Sequence, residues 1–432
     1  MLLIYTPKIN NRISFIMNVL FNEHLHILYQ LTDSVEDFQR AEIKISYAEQ
    51  PIENEVFIWQ HPLLLETNIK EQTIDVGLFE DEPIFFQSSH NQSFMPFDIF
   101  ALSFYLLTRY EEYLPHQKDK YGRFPATESI AYKTNFLQKP LVDILILKFA
   151  KKLQSVFPNV KYDLTPPKYI ATYDIDNAYA YKHKGIIRTV GGLLKHLFRL
   201  DFKEITKRIS VLTGKKQDPF DVYEYIEFIR QKYNLDTYYF ILFAEKSKYD
   251  RGLNPKNKHF QRLVNQLHSR GNIGCHPSFA SSFSKKKLRC EINSLADVLQ
   301  EKILFVRSHF LLLNFPQTYK DFISTGIEVD FSLGYAEQVG FRASTCKPFH
   351  FFDLSANEET SLKLYPFAYM EETLQNYMKL TVNESFTLIN QLIDVVKSVN
   401  GTCISLWHNE NFEKQGTDWK KIYEQSLDYF CL

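Results

Sequence analysis

Hydrophobic and polar positions along this chain change their pattern near Leu164-Thr165-Pro166-Pro167. Two adjacent prolines there block helix continuation and push the preceding residue into extended geometry. Ahead of that point Ile43, Ile45 and Tyr47 alternate with polar neighbours, while Val56-Phe57-Ile58 and Ile84-Phe85-Phe86 form compact apolar runs, all strand-like. Asp98 is placed to cap a helix running through Tyr113, and a second helix is predicted from Leu141 to Leu153. Residues 1–164 therefore read as a smaller α+β domain.

Beyond the prolines strand and helix alternate. Tyr169 to Tyr173 reads as a buried strand, and Thr237 to Phe243 as another. From Val222, apolar Tyr225, Ile226, Ile229 and Tyr233 fall on one helical face. Phe260, Leu263, Val264 and Leu267 mark a further helix closed by Arg270-Gly271, followed by the short strand Ile273-Gly274-Cys275. A late helix carries Val382, Phe386, Ile389, Ile393 and Val396, ends at Asn400-Gly401, and leads into a strand from Thr402 to Leu406. Such alternation means α/β architecture over residues 165–432, parallel strands with outer helices, in an open sheet or a barrel.

In parallel folds the C-terminal ends of strands are the favoured positions for chemistry. Four strand ends here carry candidates: Asp174-Ile175-Asp176, His276, Arg307-Ser308-His309, and Trp407-His408-Asn409. A single such residue is more often a cap or a satisfied core group; four together are harder to dismiss. Asp174 and Asp176 lie on one side of their strand, and two close carboxylates repel unless a cation or a proton separates them.

These residues resemble the motifs of the polysaccharide deacetylase (NodB-homology) family, in the family's order over about 240 residues. Thr172-Tyr173-Asp174-Ile175-Asp176 looks like its first motif, which implies Asp174 as general base and Asp176 as metal ligand. Ile273-Gly274-Cys275-His276-Pro277-Ser278 resembles the start of the second, implying His276 as a ligand. Arg307-Ser308-His309-Phe310 resembles the third, whose Arg orients the catalytic Asp. Leu406-Trp407-His408 resembles the last, implying His408 as general acid and Leu406 as a wall of the acetyl pocket. The resemblance implies a distorted (β/α) barrel of about seven parallel strands. It also implies hydrolysis of N- or O-acetyl groups on a polysaccharide or surface-glycan precursor, with a divalent metal, zinc before others. The earlier region is similar to an accessory region of Bacteroidetes-type deacetylase-like proteins, through Phe100 to Tyr113 and Gly122-Arg123-Phe124.

One departure bears on the metal. Ala280 stands where the second motif's other histidine belongs, and a catalytic zinc normally keeps three protein ligands. His309 is the candidate for the missing imidazole; Ser278, Ser281 and Ser282 are candidates to hold water near a weaker site. Trp407 is either a sugar-stacking residue or a packed rim residue. Cys275 should point away from the site as a buried apolar side chain. The alternative to an enzyme is a catalytically degenerate carbohydrate-binding or glycan-assembly scaffold, for which Ala280 is the main argument.

Composition narrows the partners. A net charge of −1 on 432 residues gives no pull towards nucleic acid. Five cysteines without a C-x-x-C pair, no basic leader and no long apolar run are read as cytoplasmic. One stretch stands apart: between Lys182 and Lys216, ten Lys and Arg face Asp201 and Glu204, with apolar residues interleaved. It is either an amphipathic surface for anionic membrane or a lipid-linked glycan, or a solvated helical insertion packed over the barrel, the reading favoured by the general behaviour of charge runs.

Overall fold

The computed structural model describes residues 1–413 and 418–431. Four strands open the chain, β1 (Leu2–Tyr5), β2 (Tyr29–Thr32), β3 (Lys44–Ala48) and β4 (Val56–Trp59), in the order β2-β1-β3-β4. Every pair is parallel, so this first part is α/β and not the α+β arrangement that its strand pattern predicts. Alternation locates a strand without giving its direction, and here helical segments, Asn11–Met17 and Val35–Arg40 among them, carry the chain back between strands. A small antiparallel pair follows, β5 (Gly77–Phe79) and β6 (Glu82–Ile84). Asp98 does cap a helix, its carboxylate accepting from Phe100 and Ala101 N–H, but the helix stops at Leu107. Arg109 takes a left-handed conformation there, and a tight turn over Tyr110–Tyr113 continues the chain.

The larger sheet holds β7 (Lys168–Ile175), β8 (Asp236–Ile241), β9 (Asn272–Cys275), β10 (Phe305–Val306), β11 (Val329–Asp330), β12 (Phe349–Asp353), β13 (Glu358–Leu364), β14 (Tyr369–Met370) and β15 (Thr402–His408). Their order is β12-β13-β11-β10-β9-β8-β7-β15-β14. Only β12 runs antiparallel to its neighbour. Eight parallel strands thus replace the seven or so expected, and among the described residues β14 and β12 do not pair to close the sheet.

Period-two alternation sorts the side chains of this sheet into two compartments. Tyr169, Ala171, Tyr173 and Ile175 of β7 join the main core beneath the helices. Ile170, with Phe240, Phe331, Ile404 and Leu406, forms a smaller apolar cluster on the opposite face. Thr172 and Asp174 share that second face, so the sheet's own pleat delivers them to whatever lies above the cluster.

The two parts of the chain are not separable by packing. One apolar core runs through both, and the Phe352 ring meets Phe15 at 4.9 Å and Phe104 at 5.2 Å between centroids. Glu112 accepts from Arg109 (2.8 Å) and from Arg342 (2.6 and 2.9 Å), all three buried. A buried ion network with both arginines on one carboxylate locks the parts in a single register.

Candidate functional site

Four strand ends meet at one cavity of about 190 Å³, whose lining includes Asp174, Asp176, His276, His309, Leu406 and His408. Asp174 is buried, and its Oδ1 accepts from Arg307 Nη1 at 2.9 Å. The guanidinium also donates to Thr172 Oγ1 (2.7 Å) and Phe331 O (3.0 Å), and lies 4.5 Å from the Phe240 ring centroid. Burial lowers the pKa of Arg307, and Asp174 opposes that shift. Arg307 therefore fixes one oxygen of Asp174 and leaves Oδ2 on the cavity side, 3.6 Å from His276 Nε2.

His276 and His309 share an arrangement. His276 Nδ1 is 2.6 Å from Arg307 O, and His309 Nδ1 is 2.9 Å from Asp250 Oδ1. Both partners are acceptors, which assigns each Nδ1 as the N–H and turns each Nε2 inward. His276 Nε2 lies 3.2 Å from Asp176 Oδ1, and His309 Nε2 lies 3.4 Å from Asp176 Oδ2. Acceptor atoms facing a carboxylate need a cation between them, whether protons on the rings or a metal ion. Burial raises the Asp176 carboxyl, but the imidazoles, His309 first, hold it well below the ordinary carboxylate range. Burial likewise opposes charge on His309, while Asp176 and Asp250 push its pKa up to about 9.

The donor set fits a divalent metal. The ligand atoms of Asp176, His276 and His309 all lie within 4.8 Å of one another. Asp176 Oδ1 is buried without a hydrogen bond. Bonds of ~2.0–2.1 Å in tetrahedral array separate neighbouring ligand atoms by roughly 3.4 Å, a spacing of the same size as each imidazole's distance to its own Asp176 oxygen. His309, not a residue at position 280, completes the group of three. It rides on a turn, His309–Leu311, in which Phe310 (φ 62°) and Leu311 (φ 53°) both take the left-handed region. Non-glycine residues pay for that conformation, and such strain concentrates where a side chain must be aimed.

Across the cavity, His408 Nδ1 and its backbone N–H both contact Glu371 Oε1, at 2.8 and 2.7 Å. Glu371 is fully buried and also accepts from Asn411 Nδ2 at 2.7 Å. Burial works against charge on His408, but the Glu371 carboxylate raises its pKa well above the usual imidazole value. Nε2 of His408 is left for the cavity.

Other predicted residues fall elsewhere. Trp407 does not line the cavity: alternation along β15 sends it into the main core, stacked on Phe412 at 5.4 Å and beside Trp419 and Tyr423. Ser278 and Ser281 do not line the cavity; their hydroxyls donate to the buried Glu291 at 2.7 and 2.6 Å. Cys275 is buried in the main core, as its neighbour's inward direction requires.

Three contributors escape the sequence pattern. Asp250 lies in an irregular loop after β8, and Glu371 follows a strand of only two residues, too short for any period to mark. Arg123 comes from the first part of the chain, lines the cavity, and donates to Phe310 O at 3.1 Å. Its place in Gly122-Arg123-Phe124 was visible, but not its destination.

A family described as being of unknown function (DUF7033) matches residues 2–158. No curated protein matches the chain. Among solved structures, a Mycobacterium smegmatis protein described as a polysaccharide deacetylase aligns with a TM-score of 0.40 and 11% identity, over 62% of this chain and 85% of its own. PuuE allantoinase aligns with a TM-score of 0.38 and 8% identity, over 61% and 83%. A Pseudomonas aeruginosa PAO1 protein described as a polysaccharide deacetylase gives 0.38 and 8%, over 61% and 84%.

Proposed function

We propose that this chain is a metal-dependent carbohydrate deacetylase, hydrolysing N- or O-acetyl groups on a glycan or glycan precursor. The observation that carries the reading is the convergence of Asp176, His276 and His309 beside the Arg307-held Asp174, with His408 opposite. Its support in sequence is the ordered set of motifs that resembles the deacetylase family.

Asp176, His276 and His309 would hold a divalent ion, zinc in the first instance, which supplies Lewis acidity to an acetyl carbonyl and to water. Asp174 is the general base: Oδ1 is committed to Arg307, and Oδ2 is free to take a proton in the cavity. Arg307 holds that carboxylate in position through its donated hydrogen bond. Leu406, Leu311, Ala336 and Met370 give the cavity an apolar side suited to an acetyl methyl. His408, kept protonated by Glu371, gives its proton to the departing amine or alkoxide through Nε2.

The competing reading, a degenerate glycan binder, rested on Ala280; the proximity of His309 to Asp176 weakens it. The test pairs metal analysis of the purified protein with acetate release from acetylated aminosugar oligomers. Bound metal together with acetate release that is lost in Asp174→Asn is the expected result. Metal-free protein that releases no acetate after zinc addition, yet still binds the oligomers, would establish the binder instead.

A further inference from the structure

Residues 186–212 form a helical hairpin, Ile186–Phe198 and Phe202–Leu212, whose apolar side faces away from the protein. The first helix has no buried residue. Ile186, Ile187, Leu197, Phe198, Leu200 and Phe202 are 49–90% exposed, and ten of the 23 large apolar side chains exposed among the described residues lie in this segment.

The orientation is the reverse of a helix packed on a water-soluble core. In an ordinary surface helix the apolar stripe faces the body. Here Arg188, Glu204 and Arg208 do so. Arg188 donates to the carbonyls of Gly252 and Arg251, both at 3.3 Å. Glu204 accepts from the buried Tyr181 hydroxyl, and the Arg208 guanidinium lies 4.9 Å from the same ring. The Arg208 guanidinium also lies against the first helix, where a Cβ on Gly192 would stand 2.2 Å from Nη1. Val211 is the one buried apolar side chain of the hairpin, with Leu193 and Ile205 half-buried, so most of its apolar surface is left without packing.

Charge selects what covers it. Residues 182–216 carry ten basic and two acidic side chains, a net of +8 on a chain whose total is −1. Lys195, Arg199, Lys203, Lys215 and Lys216 are exposed along the same segment. An apolar stripe flanked by lysine and arginine is the composition that enters the headgroup region of a negatively charged bilayer. No helix among the described residues is long and apolar enough to cross a membrane, so the contact is peripheral. We propose that the hairpin 186–212 docks this protein on the surface of a membrane rich in anionic phospholipid. The hairpin also walls a second cavity of about 590 Å³ with Glu204 and Lys207, which Lys184, Glu410 and Glu372 line as well. Glu372 lines the candidate active site too.

The test uses the full chain and co-sedimentation with vesicles of phosphatidylcholine alone or mixed with phosphatidylglycerol. Binding is expected only to the phosphatidylglycerol vesicles, weakening as salt rises. The exposed double variant Ile187→Ser/Phe198→Ser is expected to lose at least about tenfold in partitioning with its melting temperature unchanged. Wild type that stays in the supernatant with both vesicles, or a double variant that binds as wild type does, would overturn the proposal. So would a solution dimer that this variant converts to monomer, which assigns the face to a second copy of the chain. Phe198→Trp gives an independent readout: its emission should shift to the blue on phosphatidylglycerol vesicles, and an unmoved spectrum counts against docking. None of these outcomes depends on deacetylase activity.

Discussion

Asp176 confronts two imidazoles whose outer nitrogens are already spent on Arg307 O and Asp250. Each inner nitrogen then needs a cation. In His309→Ala the set falls to two ligands, and metal content of the purified protein should drop from about one equivalent to near zero by atomic emission. Asp250→Asn keeps all three ligands but weakens the acceptor that aims His309; metal affinity should fall by roughly 10–100-fold in a competition titration. Glu371 makes a different forecast. It holds the pKa of His408 above the ordinary value, so the proposed general acid stays protonated as pH rises until that raised pKa is reached. Glu371→Gln lowers the pKa, and the alkaline limb of the activity profile should move to lower pH, with the His408 ring titrating earlier by NMR. A profile that keeps its alkaline limb would show that His408 is not the acid. The motif-bearing residues, Asp174, Asp176, His276, Arg307 and His408, were legible because each terminates an apolar run. Asp250 and Glu371 were not: one sits in a loop without periodicity, and the other follows a two-residue strand.

At the scale of elements, the pleat of β7 and β9 explains why the site stands where it does. Gly274 precedes His276 by two residues and therefore shares its face. A Cβ on Gly274 would meet the Phe240 ring at 2.5 Å and Phe305 O at 3.1 Å. That ring also supports the Arg307 guanidinium. Gly274→Ala should cost about 1–3 kcal/mol by overpacking, read as a lower urea midpoint at unchanged slope. An unaltered midpoint would mean that Phe240 moves freely and does not brace Arg307. Helices were the most readable elements, because a 3.6-residue stripe over three turns leaves little choice; Lys258–His268 and Val382–Ser398 lie where their apolar spacing puts them. Strand direction in the first part was not readable, as the parallel ladder of β1 to β4 demonstrates. Nor was the direction in which the hairpin's apolar stripe faces, since amphipathicity fixes a face but not what it is turned towards.

For the whole molecule, the continuous core and the Arg109–Glu112–Arg342 network tie residues before and after the proline pair into one unit. Calorimetry should therefore give a single cooperative transition. Glu112→Ala leaves two buried guanidinium groups without their shared carboxylate and should lower stability by about 3–5 kcal/mol. Two separate heat-absorption peaks, the second unaffected by that substitution, would refute the coupling. The early region is also more than support, since Arg123 reaches the cavity from it.

The Phe352 ring between Phe15 and Phe104 has a consequence for descent. A chain bearing the counterpart of residues 2–158 without a sheet like this one would leave those two aromatic rings open to water, an apolar surface that invites aggregation. The two stretches are therefore expected to be inherited together, or else to acquire a replacement cover whenever recombination parts them.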